Sequence, residues 1–369
     1  MYVVMSLARK NVGDDLIFRR GLGILRHVSS QANLVEGKGW LPLRQSVDKQ
    51  AQSQLRGIII PGGPGARARI DSGYPFLKDA QAASIPVYFL GVGARYFPGT
   101  LERAHTALDD ATQERMRALG EIAPIGVRDY LSLELLRHNS VPAQMNGCPA
   151  WYAMDFLDAP VVAPTSIRRV AFTTAADVRF LGQSIAVLRT LRTSLPAARI
   201  LVGFHRGIGP SADTSASEGR ANLQLLEEAK RLGCEHVDLS GSSEKLSAYA
   251  DCDLHVGYRV HAHIYFLSTH KPSLLIAEDA RGAGVLHALG GAGRAGWSDA
   301  AEHPALRVVV GRVLPGVLVA RDEEISDWLA MTLEREANTG YPQVAAAASV
   351  IAHCWQTRMK PFAERIFAE

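Results

Sequence analysis

The chain has 369 residues, 47% of them hydrophobic and 21% charged, and carries a formal net charge of +3. That length exceeds one core of ordinary size and predicts two domains, while so weak a positive charge does not point to nucleic acid as a partner. No apolar run approaches ~18 residues, so no membrane span is expected, and Cys148, Cys234, Cys252 and Cys354 lie scattered without a CxxC, suggesting neither a zinc site nor a disulfide framework.

The amino terminus reads as a first strand, Val3 to Leu7, rather than a signal peptide, and with reduced thiols this favours a cytoplasmic protein. A loop from Asn11 to Asp15 follows, then an amphipathic helix through Leu25. Asp14 or Asp15 either caps that helix or meets a hydroxyl-bearing substrate at the strand's carboxyl end. Gly57 to Pro61 is a buried strand closed by the turn Gly62, Gly63, Pro64, Gly65. Pro86 to Leu90 is another, ending at Gly91 and Gly93. These turns only partly fit a dinucleotide fingerprint: Ala68 meets its relaxed form, and no acidic residue follows the next strand for a ribose. A polar helix from about Leu108 to Leu119 leads to a short strand, Ile125 to Val127. Arg128 and Asp129 follow it, and an arginine there suggests a bound anion or a partner carboxylate. Leu157 to Ser166, with Pro160 and Pro164, is the best linker candidate.

The alternation then restarts. Arg169 to Thr173, Arg199 to Phe204 and His236 to Leu239 read as strands, the second followed by His205 and Arg206. Leu254 to Gly257 is a strand that runs into a helix bearing Arg259, His261 and His263, and Ser273 to Ala277 is a strand that leads to Asp279 and Arg281. Ligands of βαβ units sit at the carboxyl ends of parallel strands, and helix N-termini attract anions. This unit therefore predicts a phosphate or carboxylate site. A further strand is expected at Leu306 to Val310, and mostly helix from Asp322 onward, broken at Gly340 to Pro342. Short apolar runs alternating with helices argue a parallel sheet covered on both faces. GxSxG, HExxH and GxxxxGK[ST] are all absent, which removes serine hydrolase, zinc protease and phosphate-loop NTPase as leading readings.

Asn11-x-Gly13-Asp14, Gly62-Gly63-x-Gly65, Val127-Arg128-Asp129 with Ser132, Gly257-x-Arg259-x-His261-Ala262, Lys271-Pro272 and Asp279-x-Arg281 occur in an order that resembles the polysaccharide pyruvyl transferase family over roughly residues 1 to 285. The resemblance implies an α/β fold of two Rossmann-like doubly wound domains facing a central cleft, as in glycosyltransferase-B folds. Residues 1–160 would form the acceptor side, and residues 167–369, with the C-terminal helices, the donor side. It implies phosphoenolpyruvate as donor and a glycan, or a lipid- or nucleotide-linked sugar, as acceptor, joined as a ketal with release of phosphate. Arg259 and His261 would bind the donor with help from Arg281. His261 would protonate C3 or the leaving phosphate, because imidazole titrates near neutrality. Asp14 joins it as a catalytic candidate, with Arg128, Gly62, Gly63, Asn11 and His205 as binding candidates. No metal or cofactor is required, since arginines supply the charge. Thr173 and Thr174 stand where the family often has an arginine, for which Arg179 is a substitute, and Pro64 stiffens the glycine turn. A nucleotide-sugar glycosyltransferase and a non-catalytic anion-binding protein on the same scaffold stay open. So do a homo-oligomer and a peripheral seat on the inner face of a membrane.

Overall fold

The computed structural model describes residues 1–48, 52, 54–63, 65, 66, 69–105, 107–211, 214–299 and 319–368. The strand expected at Leu306 to Val310, and Pro64 and Ala68 of the first glycine turn, lie outside these residues.

The first half builds β1 (Tyr2–Ser6), β2 (Leu34–Lys38), β3 (Gly57–Pro61), β4 (Val87–Leu90), β5 (Ile125–Val127) and β6 (Ala143–Met145). The first four form a parallel sheet in the order β2-β1-β3-β4. A bridge from Val92 to Val127 carries the parallel pair β5-β6 onward beyond β4. Every residue of β3 and β4 is buried, as strands covered on both faces must be. The main helices here are α1 (Val12–Val28), α2 (Asp110–Ile122) and α3 (Tyr130–His138). Helix α1 starts earlier than its apolar period suggests. Its cap is Asn11, whose Oδ1 accepts the Gly13 N–H at 3.4 Å, and not Asp14 or Asp15, which sit in the first turn.

The second half contributes β7 (Arg169–Thr173), β8 (Arg199–Phe204), β9 (Glu235–Asp238), β10 (Leu254–Gly257), β11 (Ser273–Ala277) and β12 (Ala292–Ala295). They form one six-stranded parallel sheet in the order β12-β11-β10-β7-β8-β9. Read from β9, this is the doubly wound order 3-2-1-4-5-6, whose switch point lies between β7 and β10. Helices α4 (Leu181–Ser194), α5 (Ala216–Arg231), α6 (Val260–Ser268) and α7 (Ala280–Leu289) accompany it. At the switch point Gly257 has φ 145°, and a Cβ there would lie 2.3 Å from the Thr173 carbonyl oxygen. Only glycine lets β10 end so close to β7, where the Tyr258 N–H donates to that same carbonyl at 3.1 Å.

The segment from Leu157 to Ser166 forms neither helix nor strand, and among the described residues no strand of one sheet pairs with the other. The two sheets nevertheless share a core. One apolar cluster runs from Val3 and Ile59 through Ile17 of α1 and Phe266 of α6 to Leu201 of β8. A second, with Phe172, Leu188, Leu225 and Leu329, fills the far face of the second sheet under α4, α5 and α8 (Ile325–Thr339). Gly340 and Tyr341, both at positive φ, break the helical run before α9 (Pro342–Cys354). The final helix, α10 (Lys360–Ala368), returns to the first sheet, where Tyr2 Oη donates to the Ile366 carbonyl at 2.8 Å. Among the described residues no helix is long and apolar enough to cross a membrane.

Polar contacts fasten α1 to the second half. Asp15 Oδ2 accepts from the Ser243 N–H at 2.7 Å and from its hydroxyl at 2.6 Å. The Val12 N–H donates to the His205 carbonyl at 3.2 Å, and the Gly241 N–H to the Lys10 carbonyl at 2.7 Å. Asp15→Ala leaves both Ser243 donors without their acceptor and should cost about 1.5–3 kcal/mol in urea unfolding, the range for a hydrogen-bonded charged group. Asp15→Asn, which keeps one acceptor oxygen, should cost less, and equal losses in the two would mean that the contact contributes only through packing.

Candidate functional site

Loops from both sheets meet at the strand carboxyl ends. They follow β1 (Asn11 to Asp14), β4 (Arg95 to Phe97), β5 (Arg128), β8 (His205, Arg206), β10 (Arg259, His261) and β11 (Glu278 to Arg281). The loops after β4, β8 and β11, with the segment after β7, border a cleft of about 440 Å³ lined by Arg95, Tyr96, Phe97, Asp177, Arg179, Arg206, Glu278, Asp279 and Arg281. Asp14, Arg259 and His261 lie behind it, within electrostatic reach of Arg281, as Arg128 does within reach of Asp14 and His261. A larger hollow of about 680 Å³ adjoins it through Phe97 and Arg179. Arg95, Arg206, Glu278, Asp279 and Arg281 line the smaller cleft and not this hollow.

His261 stands in the first turn of α6, packed against the backbone of α1. A Cβ on Gly13 would lie 1.9 Å from His261 Nδ1, so glycine is what makes room for the ring. His261 Nε2 is buried and has no hydrogen-bond partner. Burial first, and then the charges of Arg128, Arg281 and Arg259, hold the imidazole well below its ordinary value. Asp14 shares this surrounding. Burial raises its carboxyl above the usual range, while the Asn11 side chain and the positive charges of Arg281, Arg128 and Arg206 act the other way.

The arginines fall into two groups. Arg281 donates to Asp279 through Nε at 2.9 Å and Nη2 at 2.6 Å, and Arg179 grips Asp177 in the same bidentate way. Burial alone would lower the Arg281 guanidinium, but Asp279 and Glu278 outweigh it and raise it. Arg206 lies 3.4 Å from Glu218. The second group is buried and poorly matched. Arg128, 2% exposed, reaches Asp129 Oδ2 only at 3.5 Å, and its Nη2 has no partner. Asp129 meanwhile uses Oδ1 to cap α3 through the Ser132 N–H at 2.7 Å. Arg259, 9% exposed, has a single long contact from Nη2 to the Ala175 carbonyl at 3.5 Å, and its Nε has no partner.

The fold therefore gathers Asp14, Arg128, Arg259, His261 and Arg281 into one electrostatic neighbourhood. His205 is a buried wall of it, hydrogen-bonded through Nε2 to Tyr249 Oη at 3.0 Å and subject to the charges of Arg259 and His261. Asn11 contributes as a helix cap beside Asp14. Gly62 and Gly63 serve packing: a Cβ on either would strike Ile17 or Leu7, and none of the arginines is among their neighbours. Thr173, standing where an arginine was expected, accepts the Arg259 N–H at 3.1 Å.

Sequence reasoning missed Glu278, Arg95 and Tyr96. Glu278 is 6% exposed; its Oε2 accepts the N–H groups of Ala176 and Asp177 at 2.7 and 3.0 Å, and its Oε1 lies 3.8 Å from Arg281. All three follow a strand's carboxyl end, the signal that found Arg128 and Arg259. Among the described residues no group of three or more His, Cys, Asp or Glu is placed to hold a metal ion.

Three buried histidines and the half-buried His261 make the fold sensitive to acid. Burial holds His205, His255 and His261 well below their ordinary values and brings His263 to about 3. The unfolded chain takes up protons at these positions below about pH 6.5 and the folded chain does not, so stability falls as the pH drops, by about 1.4 kcal/mol per pH unit for each. Asp14, Asp129 and Glu278, raised by burial, act with the opposite sign above their unfolded values, where the folded chain keeps the proton longer. Between pH 7 and 5, urea unfolding should show stability decreasing on acidification, and His263→Asn should remove about one proton from that slope. An unchanged slope would mean that His263 is charged in the folded chain.

A doubly wound α/β fold with arginines gathered at the strand carboxyl ends defines a protein of Rossmann-like class. Its sequence is more specific: the model of the polysaccharide pyruvyl transferase family matches residues 11–280, and the chain belongs to that family. Membership makes it a transferase whose substrates carry sugar and phosphate. No curated protein matches it in sequence. Among solved structures it is similar to UDP-GlcNAc 2-epimerase from Neisseria meningitidis bound to UDP-GlcNAc, at 9% identity and TM-score 0.55 over 100% of this chain and 98% of that one. It is also similar to a UDP-N-acetylglucosamine 2-epimerase from Listeria monocytogenes, at 7% identity and TM-score 0.55 over 94% and 90%. At such identities the likeness is one of fold.

Proposed function

We propose that the cleft binds phosphoenolpyruvate and that the chain transfers its pyruvyl group to two hydroxyls of a glycan, or of a lipid- or nucleotide-linked sugar, releasing phosphate. The observation that carries this reading is the pair of buried guanidinium groups, Arg128 and Arg259, with Arg128 Nη2 and Arg259 Nε left without partners and only 3.5 Å contacts at Arg128 Nε and Arg259 Nη2, together with an equally unpartnered His261 Nε2. Phosphoenolpyruvate brings a phosphate and a carboxylate, each able to accept several such bonds. In the proposed arrangement residues 1–160 present the acceptor and residues 167–369 hold the donor, in the manner of glycosyltransferase-B folds.

Two hydroxyl protons leave the acceptor as its oxygens bond to C2. One proton ends on C3, making the methyl group, and the other on the departing phosphate. Asp14, with its raised carboxyl, receives a hydroxyl proton. His261 delivers one to C3 or to phosphate, because a bound phosphate dianion offsets the arginine charges that, after burial, keep the ring neutral. Arg259, Arg281 and Arg128 stabilise the charge gathering on phosphate.

A second reading, a glycosyltransferase using a nucleotide sugar, is favoured by the fold likeness to an epimerase holding UDP-GlcNAc, since a diphosphate would suit the same arginines. Thermal shift with phosphoenolpyruvate and with UDP-sugars separates the two. Stabilisation by UDP-sugars alone would replace the first reading with the second, and turnover of whichever ligand binds tests for a non-catalytic protein.

Arg259→Ala and Arg281→Ala should each weaken phosphoenolpyruvate binding about tenfold to a hundredfold, as loss of a hydrogen bond to a charged group predicts. Unchanged affinity in both would move the donor elsewhere. His261→Gln, which still hydrogen-bonds, should slow single-turnover phosphate release ~10²–10⁴-fold with a smaller effect on affinity. A near-native rate would reduce His261 to a phosphate ligand.

A further inference from the structure

Behind the cleft, the core under the first turn of α6 is polar. Thr173, His255 and His263 are fully buried and Ser273 is 3% exposed. They come from adjacent elements: β10 pairs its Gly257 with Thr173 of β7 and its His255 with Ser273 of β11. Thr173 Oγ1 meets His255 Nε2 at 2.8 Å, His255 Nδ1 meets Ser273 Oγ at 2.7 Å, and Ser273 Oγ meets His263 Nδ1 at 2.7 Å.

One ordering of protons leaves the fewest unmatched. Thr173 Oγ1 already accepts the Arg259 N–H, so its own proton goes to His255 Nε2. His255 Nδ1–H then donates to Ser273, and Ser273 donates to His263 Nδ1. Only the His263 Nε2–H remains without a partner. The reverse ordering would strand the Thr173 proton as well.

This chain has two ends on α6. At one end it holds the backbone N–H of Arg259, and at the other the side chain of His263, one turn further on. Between these anchors lies His261, whose ring stands instead on Gly13 of α1. Apolar residues would fill the same space without the cost of burying four polar side chains. Breaches of that rule concentrate where function needs geometry.

We propose that Thr173, His255, Ser273 and His263 are positioning residues. Together they clamp the first turn of α6 from the core side, so that the Arg259 guanidinium and the His261 imidazole meet the anion in fixed register. The clamp rests on the reading of Arg259 and His261 as anion-holding groups, and it gives Thr173 a task at the end of β7: its hydroxyl orients a cation.

Thr173→Val keeps the side-chain shape and removes the hydroxyl, and Thr173→Ser restores it. Ser273→Ala and Ser273→Thr form a second pair, which decides the matter should Thr173→Val fail to fold. With inorganic phosphate as the calorimetric probe, Thr173→Val and Ser273→Ala should each bind about tenfold more weakly, and Thr173→Ser and Ser273→Thr should recover most of the affinity. In an Arg259→Ala background Thr173→Val should change phosphate affinity much less, because most of its effect passes through Arg259. Independently of any ligand, the Arg259 amide should lose exchange protection, and the ring resonances of His261 should move in histidine-labelled protein, while thermal unfolding stays cooperative. Unchanged amide protection and unchanged His261 resonances in both hydroxyl-free variants would overturn the clamp, as would an undiminished Thr173→Val effect without Arg259. Failure of the native chain to bind phosphate would count against the anion site itself, and the amide and ring signals would still decide the clamp.

Discussion

Burying a guanidinium without a matched carboxylate is expensive, and this fold does so at two places within one neighbourhood. Arg128 has its nearest carboxylate at 3.5 Å, and that carboxylate is already engaged as the cap of α3. Arg259 has a peptide carbonyl at 3.5 Å. The rest of the site answers to this excess of positive charge. It helps hold His261 neutral, opposes the burial that raises the Asp14 carboxyl, and gives Glu278 a reason to sit 6% exposed between Arg259 and Arg281. An arriving dianion would reverse several of these balances at once, which is what a site acting only on the bound state requires.

The positions of these charges follow from strand order. In the first sheet the order β2-β1-β3-β4 turns back between β1 and β3, and in the second the order turns back between β7 and β10. At each reversal the flanking helices leave on opposite faces and open a crevice at the carboxyl ends. The Asn11 to Asp14 loop leaves one such crevice and Arg259 the other, and α1 brings the two together through Gly13.

Much of this could be read in the sequence. GIIIP, RVAFT, RILVGF, LHVG and SLLIA are apolar runs too short for helices, and each became a strand with the expected bounds. The cationic ends of the β10-α6-β11 unit were legible for the same reason: a residue directly after a buried parallel strand has few places to point. What escaped were elements with weak apolar content. Strands β2, with LVEGK, and β6, with AQM, form because a neighbour's backbone offers hydrogen bonds, and composition does not record that. The cap falls on Asn11 and not on Asp14 or Asp15, the alternatives the sequence offers beside a substrate contact: Asn and Asp both cap helices, and only the backbone decides which residue lies outside the first turn. The glycines after β3 looked like ligand turns, yet their lack of Cβ admits Ile17 and Leu7, partners remote enough in the chain to leave no local sign.

The contact between Tyr2 and Ile366 joins residues 364 positions apart. Trp355, Phe362 and Ile366 belong to the same apolar cluster as Tyr2 and Leu25. On a ribosome adding ~5–20 residues each second, β1 would therefore wait roughly 20–70 s for the segment that covers it. Until then the opening sheet carries an uncovered apolar flank, a natural target for chaperones that bind nascent chains. The part of this fold that emerges first is completed only when the last helix arrives.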